Sequence, residues 1–147
     1  MYNITVYTDG ACSGNPGSGG WAALLICNEK TKEISGYENN TTNNKMELQA
    51  VIEALKAIKK PSNVTVYSDS AYVVNAFLQG WVDKWIKQGW RTCGKKPVQN
   101  QELWVELIAL SSIHNVNFKK VAGHADNEFN NRCDELARAA IKNHRGI

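Results

Sequence analysis

Residues 3–9, NITVYTD, set Ile4, Val6 and Thr8 against Thr5, Tyr7 and Asp9, the alternation of a strand. GACSGNPGSGG follows at 10–20, glycine-rich with one proline, and predicts a turn or loop. WAALLICN (21–28) is a short apolar run and KEISGYENN (32–40) a second strand-like piece, so the opening third predicts an antiparallel meander. From Thr42 the pattern changes to a helical period, with Val51, Ala54, Leu55 and Ile58 on one stripe. KKPSN stops it, placing Lys59 and Lys60 at its negative end. A strand at 63–69 (NVTVYSD) and a helix ending at Gly80 come next, then a part-helical, part-loop stretch over 81–97. The chain closes with a helix at 100–113, a strand at 115–123 and a helix at 127–143. The order β-β-β-α-β-α-α-α-β-α predicts a single α/β domain over 1–147, a mixed sheet with helices packed on its faces.

One position breaks the helical pattern. Stepping back along the stripe from Ile58 through Leu55, Ala54 and Val51 reaches Glu47, a carboxylate on the face that should be buried. Three other acids stand at comparable places. Asp9 ends the first strand, Asp69 ends a later one, and Asp134 shares a stripe of the last helix with Ala137 and Ile141. The carboxyl ends of parallel strands gather at one sheet edge, where sites are commonly built. Four carboxylates meeting there repel one another unless a cation lies among them, and an all-oxygen set suits Mg²⁺ or Mn²⁺ rather than zinc. Each acid also has a plainer explanation. Glu47 could close a capping box from Asn44, Asp69 or Ser70 could cap a helix, Asp134 could answer a helix dipole, and Asp9 could open a turn with Gly10. The pattern alone leaves both explanations standing.

Composition narrows the class. The 147 residues are 43% hydrophobic and 21% charged, with a net charge of +3, as in ordinary globular domains. No apolar run approaches the roughly 18 residues of a membrane span, and the N-terminus shows no basic region or apolar core of a signal peptide, so a cytoplasmic protein is expected. Cys12, Cys27, Cys93 and Cys133 form no C-x-x-C and make no zinc spacing with His114, His124 and His144, so reduced thiols are expected. No apolar stripe is left over for self-association, which predicts a monomer.

Basic charge is concentrated in GWVDKWIKQGWRTCGKKP, where Lys84, Lys87, Arg91, Lys95 and Lys96 face a single acid, Asp83, and are interleaved with Trp81, Trp85 and Trp90. Lysine and arginine hold phosphates without reading sequence, and flat aromatics pack on sugars and bases. A solvated helix docked to the core by its tryptophans has the same composition. Both roles fit together if Trp85 and Trp90 support the segment and Trp81 touches nucleic acid.

Four blocks, YTDGACSGNPGSGGWAA, TTNNKMELQAVIEAL, VYSDSAYV and AGHADNEFNNRCDELARAA, resemble in order and spacing the signature blocks of type 1 ribonuclease H. The resemblance covers nearly the whole chain. It implies a five-stranded mixed sheet of order 3-2-1-4-5 flanked by helices, and Mg²⁺-dependent endonucleolytic cleavage of the RNA strand of an RNA–DNA hybrid, leaving 3′-hydroxyl and 5′-phosphate ends. Asp9, Glu47, Asp69 and Asp134 match the family's catalytic carboxylates. Asp9 is expected to bridge two metal ions, Asp134 to hold the nucleophile side, and Glu47 with Asp69 the leaving-group side, with Mn²⁺ a possible substitute. His124 matches the family histidine, an auxiliary residue for proton transfer or product release. The basic stretch at about 81–97 resembles the family's handle, which grips the DNA strand. Cys12, Asn15, Asn43 and Asn44 match residues lining the RNA side of the groove, where 2′-hydroxyls distinguish RNA from DNA, and Thr42 one that helps hold a DNA phosphate. Two positions depart from the pattern: Ala71 stands where a longer side chain is common, and Asn40 where a basic one is. A binding module that has lost catalysis, and a nuclease of this fold acting on DNA, are the competing classes. The intact set of acids disfavours the first, and the TTNN and NNRCDELA blocks with the handle disfavour the second.

Overall fold

The computed structural model describes residues 2–92, 96–121 and 127–145. Its elements, in chain order, are β1 (Tyr2–Gly14), β2 (Gly17–Cys27), β3 (Lys30–Thr41), α1 (Asn43–Ala57), β4 (Ser62–Ser68), α2 (Ala71–Leu78), α3 (Trp81–Lys87), α4 (Gln101–Ile113), β5 (Asn115–Lys120) and α5 (Glu128–Arg145). The five strands form one sheet in the order β3-β2-β1-β4-β5. β2 runs antiparallel to β1 and β3, whereas β1, β4 and β5 are parallel neighbours. Element order and strand order are those expected.

The short apolar run of β2 is explained by its burial on both faces. Ala23 and Leu25 join the large core with Val6, Leu48, Val51, Ile52, Leu55, Val64, Val66 and Trp104. Ala22 and Leu24 turn the other way, onto Cys133 and Ala137 of α5. A strand covered on both sides needs no polar alternation. Trp104 is fully buried in the larger core, and its Nε1–H donates to the Tyr72 hydroxyl at 3.0 Å, so the one polar atom of the indole is satisfied.

The structure differs from expectation at 10–20. This glycine-rich stretch is not a loop: β1 runs on to Gly14 and β2 starts at Gly17, with Gly10↔Trp21 and Cys12↔Gly19 in register and only Asn15 and Pro16 left to turn. The glycines mark close approach of neighbouring chain rather than flexibility. At Gly20 a Cβ would collide with the Ala137 carbonyl of α5. At the other end of the chain, β5 stops at Lys120, short of the expected residue 123; 122 and 123 lie outside the described residues.

Candidate active site

The parallel pairing of β1 and β4 reaches Tyr7↔Tyr67, and the next acids beyond that rung are Asp9 and Asp69, each two residues on. Equal offsets on neighbouring parallel strands bring their side chains to one edge of the sheet. α1 supplies the third acid. Its N-cap is Thr42, whose Oγ1 accepts the Lys45 N–H at 3.3 Å, so no capping box forms from Asn44 and Glu47 is free of that duty. Gly10, lacking a side chain, lets the first turn of α1 rest directly on β1. Ser70, not Asp69, caps α2 by accepting the Val73 N–H at 3.3 Å, which leaves the Asp69 carboxylate uncommitted.

The result is a group of three acids, Asp9, Glu47 and Asp69, whose nearest oxygens all lie within 4.8 Å of one another. Asp9 and Glu47 are each only 5% exposed. Burial, then the Asp69 charge and the nearby Asp134, push the Asp9 carboxyl up to about 7, against the one favourable contact from the Gly10 N–H at 2.9 Å. Glu47 is raised well above the ordinary range, first by burial and then by Asp9 and Asp69. Its Oε1 is buried with no hydrogen-bond partner among the described residues. Asp134, on α5, stands beside Asp9 but is more open, and its Oδ1 accepts from Arg138 Nε at 3.1 Å. An orphaned carboxylate oxygen in a nest of hard oxygen donors, with no Cys or His among them, fits divalent cations of the Mg²⁺ or Mn²⁺ kind. Burial first and then mutual repulsion lift Asp9 and Glu47, and a cation among them offsets both.

The residues expected to line the groove are tied to one another. Asn15 in the β1–β2 turn accepts the Asn43 N–H through Oδ1 at 3.2 Å, joining the CSGN and TTNN segments. Cys12 Sγ donates to the carbonyls of Thr41 (3.4 Å) and Gly17 (3.6 Å), fixing β1 against the end of β3. Asn43 is exposed and Asn44 half-buried. His124, Cys93 and Lys95 lie outside the described residues.

In the basic stretch at 81–97, Lys84, Lys87, Arg91 and Lys96 are exposed. Its tryptophans form a relay into the core: ring centroids are 6.5 Å apart for Trp81–Trp85, 6.2 Å for Trp85–Trp90 and 5.2 Å for Trp85–Trp104. Trp85 and Trp90 are the supports anticipated, and Trp81 is half-buried and also packed against the core. Past the handle, the chain doubles back through Val98 N–H to the Trp90 carbonyl at 3.0 Å.

Sequence reasoning missed an open polar groove of about 650 Å³ between the start of α1 and the start of α4. Glu38, Asn40, Lys45, Gln49, Asn100 and Glu102 are among the residues lining it, so it carries two acids beside its one lysine. Helix propensity and strand alternation carry no signal for it, since its two walls are distant in sequence.

The sequence matches the RNase H family model over residues 1–142. It is 62% identical over 139 residues to a protein described as ribonuclease H from Chlorobaculum parvum, covering 95% of each chain. It is 60% identical over 142 residues, 97% of each chain, to one so described from Acetivibrio thermocellus. Among solved structures it superposes on LC9-RNase H1, described as a type 1 RNase H with the type 2 active-site motif, with a TM-score of 0.87 and 31% identity over 97% of this chain and 74% of that one. LC11-RNase H1, solved in complex with RNA/DNA hybrid, gives a TM-score of 0.72 at 27% identity, covering 96% of this chain and 98% of that one. Likeness at this level along nearly the whole length, carried on the five-stranded sheet described above, makes the chain a member of the RNase H family, an enzyme of the type 1 ribonuclease H kind.

Proposed function

We propose that the protein hydrolyses the RNA strand of RNA–DNA hybrids at the Asp9–Glu47–Asp69–Asp134 centre, leaving 3′-hydroxyl and 5′-phosphate ends. The observation that carries this reading is the meeting of three buried or half-buried carboxylates within 4.8 Å, one with an orphaned oxygen, at the edge of a sheet whose relatives are ribonucleases H. Two divalent cations held there would activate a water for in-line attack and neutralise charge on the departing 3′-oxygen. Asp9, which faces the other acids, would be a ligand to both cations; Asp134, the more open acid, would hold the one that supplies the nucleophile, and Glu47 with Asp69 the one that neutralises the leaving group. His124 assists proton transfer or product departure.

The remaining parts hold the substrate. Cys12, Asn15, Asn43 and Asn44 present short polar groups and backbone to the RNA 2′-hydroxyls. Thr42 and the open groove with Lys45 and Asn100 receive the DNA strand, and Trp81, Lys84, Lys87, Arg91, Lys95 and Lys96 extend the contact along its phosphates. Asn40 lines that groove without the charge common at its position, which leaves Lys45 as the groove's basic residue among those lining it. The domain acts as a cytoplasmic monomer with Mg²⁺ as its metal. Consistent with that, no helix among the described residues is long and apolar enough to cross a membrane.

The test is cleavage of end-labelled RNA–DNA hybrid, duplex DNA and duplex RNA with Mg²⁺, Mn²⁺ or EDTA. Only the hybrid is cut, only in its RNA strand, and only with metal. Asp9→Asn abolishes cutting while keeping the fold. Cleavage of duplex DNA at a comparable rate, or full activity in EDTA, refutes the assignment.

A further inference from the structure

Arg138 follows Asp134 by one turn of α5 and is ion-paired to it, Nε to Oδ1 at 3.1 Å. Among the described residues this is the ion pair that includes one of the four acids; the others join Lys56 to Glu53 and Glu106, and Arg132 to Glu33 and Glu135. Asp134 therefore sits between two claims. On one side is Asp9, whose carboxyl it crowds; on the other is a guanidinium whose side chain is 74% exposed and free to swing away. Asp9 and Glu47 have no comparable partner. They are sunk 5% exposed beneath the sheet edge.

We propose that Arg138 is a positioning residue that holds Asp134 ready at the lip of the centre and competes with the divalent cation for its carboxylate. The inference rests on the metal reading of the four acids. Before a cation arrives, the guanidinium offsets part of the crowded negative charge and fixes the Asp134 rotamer through an i,i+4 contact. When a cation binds, Asp134 exchanges the arginine for it. An exposed pair of this kind contributes little on its own and exchanges readily, so it tunes affinity without locking the site. The positive charge, one carboxylate away from any cation that Asp134 holds, weakens cation binding by about threefold at moderate ionic strength.

The experiment is calorimetric titration of the metal-free protein with MnCl₂, without substrate, for wild type, Arg138→Gln, Arg138→Lys, Asp134→Asn and the double variant Asp134→Asn with Arg138→Gln. Circular dichroism checks that each is folded, as expected for changes at exposed or half-exposed positions. Arg138→Gln should bind Mn²⁺ about threefold more tightly, and Arg138→Lys, which keeps the charge, should stay near wild type. In the Asp134→Asn background the gain from Arg138→Gln should shrink to less than half, because the shared carboxylate is gone. The Mn²⁺ concentration for half-maximal hybrid cleavage should fall in parallel with the binding change. Unchanged or weaker binding in Arg138→Gln overturns the proposal, as does an undiminished gain in the Asp134→Asn background. A wild-type protein that takes up no Mn²⁺ overturns the metal reading itself, a result distinct from a wild type that binds and an Arg138 variant that does not differ.

Discussion

A Cβ placed on Gly10 would fall 2.5 Å from the backbone nitrogen of Glu47, so β1 and the first turn of α1 meet with no room for a side chain between them. That contact is what presses a carboxylate onto the sheet edge beside Asp9. Gly10→Ala must push strand and helix apart. It should destabilise the protein by about 1–3 kcal/mol, the usual cost of overpacking. Because it moves Glu47 relative to Asp9, it should also lower hybrid cleavage on the order of tenfold to a hundredfold. Thermal unfolding and single-turnover cleavage of the same preparation check both. Full activity in a destabilised variant would separate the packing role from the site.

Metal-free stability should depend on pH through Asp9. Its carboxyl is raised from 3.8 to about 7 in the folded protein, so between those values the native state binds a proton that the unfolded state has lost. Stability from this group is present below about pH 4 and is lost as pH rises through 7. Asp9→Asn removes the penalty. At pH 8 without metal the variant should be more stable than wild type by up to about 4 kcal/mol, and the difference should vanish at pH 4. Urea unfolding at the two pH values tests it. Added Mg²⁺ should narrow the gap at pH 8 by stabilising the wild type alone.

Cation uptake should release protons. Asp9 and Glu47 are both held above their ordinary ranges, and a cation favours their ionised forms. Mg²⁺ binding should therefore tighten as pH rises from 6 to 8, and titrations in buffers of different ionisation enthalpy should show a net release of protons at pH 6.5. Identical heats in all buffers would contradict the raised carboxyls.

The cysteines should differ in reactivity. Cys133 is fully buried, donates to the Tyr7 carbonyl at 3.3 Å, and has its thiol pushed up to about 12 by burial and then by Asp9. The thiolate is the reactive form, so iodoacetamide should leave Cys133 unmodified until the protein unfolds. Cys12 and Cys27 are half-buried thiols outside any disulfide and should react before Cys133. Peptide mass mapping reads the order. Substitution on Cys12, beside the Asn15–Asn43 contact, should also reduce hybrid binding.

The handle lysines should act through screening-sensitive charge. Replacing Lys84, Lys87 and Lys96 with Gln should weaken hybrid binding most at low salt and reduce the slope of log K against log salt by up to about 2–3. Trp85→Ala, which removes the ring between Trp81, Trp90 and Trp104, should instead cost about 2–4 kcal/mol of stability. Fluorescence anisotropy over a salt series separates the two effects.

Much of this site could be read before the structure because each acid broke or ended a pattern. Glu47 interrupts an apolar stripe, and Asp9 and Asp69 stand two residues beyond the same rung of two strands that alternate in the same way, although β1 itself runs on past Asp9 to Gly14. The plainer explanations fail locally: Thr42 and Ser70 take the two capping roles, so neither Glu47 nor Asp69 is needed for them. What stayed hidden depends on chain segments meeting from afar. A hairpin connection was legible at 10–20, but not how far its strands run, because the glycines are there for the neighbours they touch, as Gly20 is for Ala137, and a neighbour cannot be seen in a local window. The groove between α1 and α4 was invisible for the same reason, and so was Arg138, which a helix-surface pattern presents as one more solvated charge.

The two-residue step from the Tyr7↔Tyr67 rung to Asp9 and Asp69 also says which genetic changes the enzyme can survive. A substitution near those positions alters a contact, but the loss or gain of one residue between rung and acid turns that carboxylate to the opposite side of the sheet. Drift in this lineage should therefore show freely exchanged side chains along β1 and β4 yet an unvarying count of residues up to each acid, with insertions displaced into the β1–β2 turn or beyond the handle.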